Sequence, residues 1–148
     1  MKLSDLLSTK DLKYRTPILI GPNETVSAAI QKLSEHDRGA LPVCDDAGKL
    51  VGIITERDIM RKCLARDQTP AKTKIRDIMT KDVIIGIPDD DLDYAINAMK
   101  QKRIRHIPIV DKQKVVGMIS MRDLLGVQVE ECRLQVRLLS DYISGGQA

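Results

Sequence analysis

Behind Thr25, the apolar residues Val26, Ala29, Ile30 and Leu33 fall at i, i+3, i+4 and i+7, the spacing of one helical face. Behind Asp91, Leu92, Ala95, Ile96 and Met99 do the same, and Thr and Asp both suit a helix start. Each helical run leads to a short apolar stretch around Pro42 or Pro108, a polar turn (DDAGK or DKQK) and a second apolar stretch (LVGIIT or KVVGMIS). Short apolar runs bounded by turn residues read as strands. Another helix begins directly after each. With a short entry strand in front, the predicted unit is β-α-β-β-α, written twice.

The two copies align in register. Pro42 meets Pro108 at an offset of 66, and one deletion in the turn brings Gly52 to Gly117 at 65. The lead-ins repeat too, LSDLLSTKD against IRDIMTKDV, with about five extra residues around YRTPI in the first copy. One copy has too little sheet to close a core, so the expectation is an α+β fold in which two copies pack about a pseudo-twofold axis. The expected divisions are residues 1–66 for the first repeat, 67–74 for a polar linker, 75–126 for the second repeat and 127–148 for a C-terminal helix and tail. From the end of the second repeat into that last segment, Leu125, Val129, Cys132, Val136, Leu139 and Ile143 alternate steps of four and three, a heptad stripe that packs either on its own domain or on a second subunit. Gly126 weakens the start of this helix and Gly145-Gly146 are expected to stop it.

Composition narrows the function classes. Aromatics are 2% of the chain, all of it tyrosine, so the core is aliphatic and base-stacking platforms are nearly absent. Lys and Arg exceed Asp and Glu by only 24 to 21, with the signs interspersed, which argues against a duplex-binding surface. No run has membrane-spanning length and the first residues lack the order of a secretory signal, so a cytoplasmic protein without membrane contact is expected. The three cysteines show no C-x-x-C spacing. No nucleophile-base order, metal-spaced ligand set or P-loop is present, and an enzyme is not expected.

The remaining signal is a turn used twice, GIITERDIM (52–60) and GMISMRDLL (117–125). Thr55 and Ser120 stand at N-cap positions, and Asp58 and Asp123 three residues on complete a capping box. The same geometry also suits a ligand, because a helix start offers N–H groups to a phosphate and an acidic side chain accepts from ribose hydroxyls. Residues alone leave both readings open.

The doubled order of elements, with an h-x-P-[IV] strand and a G-h-[IV]-[ST]-x-x-D turn in each copy, resembles the cystathionine β-synthase (CBS) domain pair, or Bateman module, over about residues 3–126. The resemblance implies an adenine-nucleotide sensor without a catalytic domain, acting as a homodimer on an unidentified protein target. It also implies two clefts, each joining the turn of one repeat to the entry strand and pre-proline segment of the other. The first would combine Ile53, Thr55, Arg57 and Asp58 with Ile84, Arg103, Arg105 and His106. The second would combine Met118, Ser120, Arg122 and Asp123 with Ile18, Gly39, Ala40 and Leu41. Arg103, Arg105 and His106 favour AMP in the first cleft; ADP, ATP, NAD(H) and S-adenosylmethionine share the same adenosine. The alternatives are a dimerising adaptor or redox-linked regulator, then a nucleic-acid-binding or nucleotide-hydrolysing protein.

Overall fold

The chain in the computed structural model, which describes residues 1–145 apart from the side chains of Leu12 and Lys13, opens with two short helices, α1 (Leu3–Thr9) and α2 (Leu12–Arg15). The first amphipathic run follows as α3 (Val26–Glu35), capped by the Thr25 hydroxyl, which accepts from the Ala28 N–H at 3.2 Å. Strand β1 (Ala40–Cys44) then pairs antiparallel with β2 (Leu50–Thr55). After a short helical turn α4 (Glu56–Asp58) and a connection, the second copy runs α5 (Ile75–Ile78), α6 (Leu92–Lys102), β3 (His106–Asp111), β4 (Lys114–Ser120) and α7 (Met121–Gly145). β3 and β4 are also antiparallel.

Each entry strand is shorter than expected, reduced to a single parallel bridge, Ile20 to Val43 and Gly86 to Ile109. The cause is local. The next N–H is captured by a side chain, Gly21 by Glu24 at 2.6 Å and Ile87 by Asp90 at 2.8 Å, and a donorless proline follows each time, Pro22 and Pro88. Prolines inside a sheet also need an explanation. Pro42 sits opposite Ile53, whose N–H and C=O both turn away to Thr80 at 2.9 Å, so no donor is asked of the proline. Its carbonyl still accepts from the Ile20 N–H at 3.2 Å, as that of Pro108 accepts from Gly86 at 3.0 Å.

Two aliphatic cores form, and the lead-in helices are exchanged between them. Ile75 and Ile78 of α5 pack with Val26, Ala29, Leu41, Val43 and Ile54 of the first repeat. Leu3 and Leu6 of α1 pack with Ala95, Met99, Ile107, Ile109 and Ile119 of the second. This exchange explains the glycine that begins each repeated turn. A Cβ on Gly52 would stand 2.6 Å from Met79 Sδ and 2.9 Å from the Thr80 carbonyl; one on Gly117 would stand 2.7 Å from Leu7 Cδ2. At Gly52 the Thr80 backbone closes the space to any side chain, whereas at Gly117 the neighbour is the flexible end of Leu7. A third small cluster, Ala40, Ile53 and Met118 with Val83 against it, joins the two repeats beneath the clefts.

The closing helices of the repeats differ. The first is irregular: α4 runs into a π-helical turn (Ile59–Cys63) and a 3-10 turn (Leu64–Arg66), ending with Asp67 in the left-handed region at φ 54°. The second is α7, 25 residues without a break at the expected boundary, and Gly126 lies inside it with open space around its Cα. Gly145 is the last described residue of α7, and Gly146 lies outside the described residues.

Candidate functional site

Where each second strand ends and its helix begins, the capping box is fully formed. Thr55 Oγ1 accepts from the Asp58 N–H at 3.1 Å while the Asp58 carboxylate accepts from the Thr55 N–H at 3.1 Å. Ser120 Oγ accepts from the Asp123 N–H at 3.2 Å, and Asp123 accepts from the Ser120 N–H at 2.8 Å. The first helical N–H of each turn is also used, Glu56 on the Gly39 carbonyl and Met121 on the Arg105 carbonyl. Each turn is thereby tied to the pre-proline segment of its own hairpin, beside it in the ladder, rather than to the one across the cleft. The turn caps its helix, and it also stands in the wall of a cavity.

In the first cavity, of about 230 Å³, Ile53, Thr55, Arg57 and Asp58 face Arg103, Arg105 and His106 across Gly39 and Thr80. Asp58 is buried and crowded with donors. Besides the Thr55 N–H it takes the Thr55 hydroxyl at 3.1 Å, the Thr80 hydroxyl at 3.1 Å and the Lys62 ammonium at 3.0 Å. Thr80 arrives on the exchanged lead-in segment, and Lys62 on the π-helical turn four residues beyond Asp58. A ribose would have to displace one of these groups to reach the carboxylate.

The second cavity is larger, about 660 Å³, and includes Met118, Ser120, Arg122, Asp123, Gly39 and Ala40. Lys10, at the end of α1, bonds the Asp123 carboxylate at 2.9 Å and the Met118 carbonyl at 2.8 Å. The two donors to Asp123, Lys10 and the Ser120 N–H, reach the same oxygen, Oδ2; Oδ1 has no partner among the described residues. Tyr14 and Arg38 complete the wall, with the guanidinium 5.3 Å above the tyrosine ring and the hydroxyl donating to Asp37 at 2.8 Å.

Three expected residues do not reach a cavity wall. Leu41 is fully buried in the first core because β1 alternates: Ala40 faces the cleft and Leu41 the other side. Ile18 packs on that same core, ahead of the single entry bridge. Ile84 is half-buried and lines neither cleft, and its neighbour Val83 meets Ile53 and Met118 instead. Conversely Lys10, Tyr14, Arg38 and Thr80 line the clefts, and Lys62 reaches the first through Asp58, none of which the sequence reading includes. Lys62 had a signal, the i+4 spacing from Asp58. Tyr14 lay in the five-residue insertion that only the first lead-in carries.

Gly39, Glu56 and His106 line both cavities, so the clefts share a wall. A Cβ on Gly39 would stand 3.1 Å from His106 Nε2, so a side chain there would press the imidazole aside by a few tenths of an ångström. Burial holds the His106 pKa below its usual value; Asp123 opposes that shift, while Lys10 and Arg105 reinforce it. His106 is therefore a neutral donor-acceptor at pH 7 rather than the cation its sequence context implied. Burial also lowers the pKa of Arg38, which Tyr14 and Asp123 oppose.

Comparison with known proteins agrees with this architecture. The CBS domain model matches the chain twice, at residues 9–65 and 75–130. The chain is 36% identical over 128 residues to the mitochondrial CBS domain-containing protein CBSX3 of Arabidopsis thaliana, covering 84% of this chain but 62% of that relative, so it spans about three fifths of the relative's length. A solved protein with CBS domains from Burkholderia ambifaria superposes with a TM-score of 0.82 at 32% identity, over 88% of this chain and 95% of the other. The CBS domain pair of protein MJ0100, solved in complex with 5-methylthioadenosine and S-adenosyl-L-methionine, superposes with a TM-score of 0.77 at 32% identity, over 88% and 98%. Among the described residues no helix is long and apolar enough to cross a membrane. With two matched domains, exchanged lead-ins and a cleft at each repeated turn, this chain belongs to the CBS domain family.

Proposed function

We propose that the chain is a regulatory module that binds an adenosine-containing ligand in the clefts between its repeats and changes shape to control a protein target, acting as a cytoplasmic homodimer rather than as an enzyme. The observation that carries the reading is the second cavity. Its volume of about 660 Å³ falls within the roughly 300–1,000 Å³ of small-molecule sites, and Asp123 Oδ1 stays available as an acceptor beside Ser120 and Arg122. The ligand complex of the MJ0100 domain pair supports the adenosyl class.

The ranking of the clefts changes with the geometry. Arg103, Arg105 and His106 had favoured phosphate in the first cleft, but at about 230 Å³, with Asp58 already taking four donors, that cleft has to open before a nucleotide fits. The second cleft is the principal site in this conformation. Arg122 there is exposed and in no ion pair among the described residues, which suits AMP as well as the uncharged or zwitterionic adenosyl compounds.

Calorimetric titration of nucleotide-stripped protein with AMP, ATP, NADH and S-adenosylmethionine tests the reading. One strong site per chain, lost in Asp123→Ala and retained in Asp58→Asn, is the expected result. Absence of heat with all four overturns the adenosyl reading and leaves the adaptor alternative.

A further inference from the structure

The distal part of α7 serves no part of the ligand site. Every residue from Gln128 to Gly145 is exposed, and a helix of that length without tertiary packing is marginal in water. Its apolar stripe exposes Leu125, Val129, Val136, Leu139 and Ile143 by 47–62%, with Cys132 exposed between them. The order within the stripe is specific. β-branched Val129, Val136 and Ile143 occupy one heptad core position, and Leu125, Cys132 and Leu139 the other, a choice that favours two parallel strands. The area is adequate: the stripe offers on the order of 500 Å² per copy, so a pair reaches about 1,000 Å², the lower bound of specific interfaces.

Charge selects the orientation. In a parallel pair the flanking positions bring Arg133 against Gln128 and Gln135 against Ser140, and no like charges meet. In a fully overlapped antiparallel pair Arg133 meets Arg133, and Cys132 lies opposite Val136. We propose that α7 pairs in parallel with α7 of a second copy of this chain through this stripe, setting the two Cys132 thiols face to face. The proposal rests on the homodimer of the reading above and not on its ligand.

Facing thiols make the dimer lockable by a low-molecular-weight disulfide such as oxidised glutathione. One Cys132 thiolate attacks the small disulfide, breaking its S–S bond, forming a mixed disulfide and releasing one thiol. The other Cys132 thiolate then attacks the protein sulfur and expels the second thiol. The two cysteines lose two electrons and two protons, and the small disulfide gains them as two thiols. Cys44 and Cys63 are buried and do not compete.

The full chain is measured by light scattering under dithiothreitol, then by non-reducing electrophoresis after oxidised glutathione. The expected results are a dimer in both, a covalent band that disappears in Cys132→Ser, and a rise of on the order of a hundredfold in the dimer dissociation constant for Val136→Asp, as for a charge placed in an apolar seam. Leu134→Asp, on the opposite face of α7, should leave the dimer intact. A Val136→Asp dimer unchanged in strength, or one weakened no more than by Leu134→Asp, overturns the stripe while leaving the homodimer standing. A reduced dimer without Cys132 cross-linking overturns the parallel orientation. A wild-type monomer overturns both the seam and the homodimer, and the calorimetric result is independent of all three.

Discussion

The two clefts are built from the same turn and have come to differ in which part of it is spent. In the first, four donors converge on Asp58 and the carboxylate has become a structural tie between the repeats. In the second, Lys10 and one N–H share a single oxygen of Asp123, and the cavity beside it is almost three times as large. Duplication fixes the cap geometry, because the helix needs it, but leaves the surroundings free to diverge. The insertion around Tyr14 lengthens only the first lead-in, and that lead-in lines only the second cleft.

The largest effect should come from breaking the saturated turn. Removing Asp58 leaves Lys62 and Thr80 without their buried acceptor, and Asp58→Ala is expected to cost about 3 kcal/mol of stability, as for loss of one partner of a buried network. Asp123→Ala, whose site is more open, should cost only about 1 kcal/mol while abolishing the strong adenosyl site. Urea unfolding and calorimetry on the same two variants decide the matter. Equal stability losses would mean that the turns have not diverged in role.

A smaller effect sharpens the same contrast at the glycines. Alanine at Gly52 must push on the Thr80 backbone, which is held by two hydrogen bonds to Ile53, whereas alanine at Gly117 meets only the end of the Leu7 side chain. Gly52→Ala should lose about 2–3 kcal/mol and Gly117→Ala about 1 kcal/mol, within the usual range for overpacking. Melting curves that rank them the other way would show that α1 is held more rigidly than the segment after α5.

Much of this was legible from residues in order. The repeated spacing around Pro42 and Pro108 predicts both hairpins, and the i, i+3, i+4 runs predict α3 and α6. What stayed hidden is whatever depends on chain crossing. The lead-in helices are apolar in sequence, yet nothing local says that Leu3 belongs to the second core and Ile75 to the first. Thr80 and Lys10 reach their carboxylates only because of that exchange. Gly39, Ala40 and Leu41 read as one wall in sequence, but in a strand of period two Leu41 turns to the face opposite Ala40. Ile18 and Ile84 were assigned to walls on the assumption of full entry strands, and each entry strand closes after one bridge because a carboxylate and a proline stop it.

The smallest effect tests the wall the two clefts share. His106 has a folded-state pKa lowered chiefly by burial, so above the unfolded value of about 6.5 both states are neutral and the group contributes no pH dependence. As the pH falls through that value the unfolded chain takes up a proton that the folded imidazole resists, so stability drops and then levels below the folded pKa. The loss in His106→Gln should therefore be less steep than in wild type between about pH 6.5 and 5, by on the order of 1 kcal/mol or less. Bound AMP should reverse the sign of the effect on the imidazole, since a phosphate beside it favours the protonated ring, while adenosine should not. Unfolding at pH 7.5 and 5.5, with and without each ligand, reads both quantities. If AMP and adenosine change the pH dependence of unfolding equally, the phosphate lies away from the shared wall and each cleft works without reference to the other.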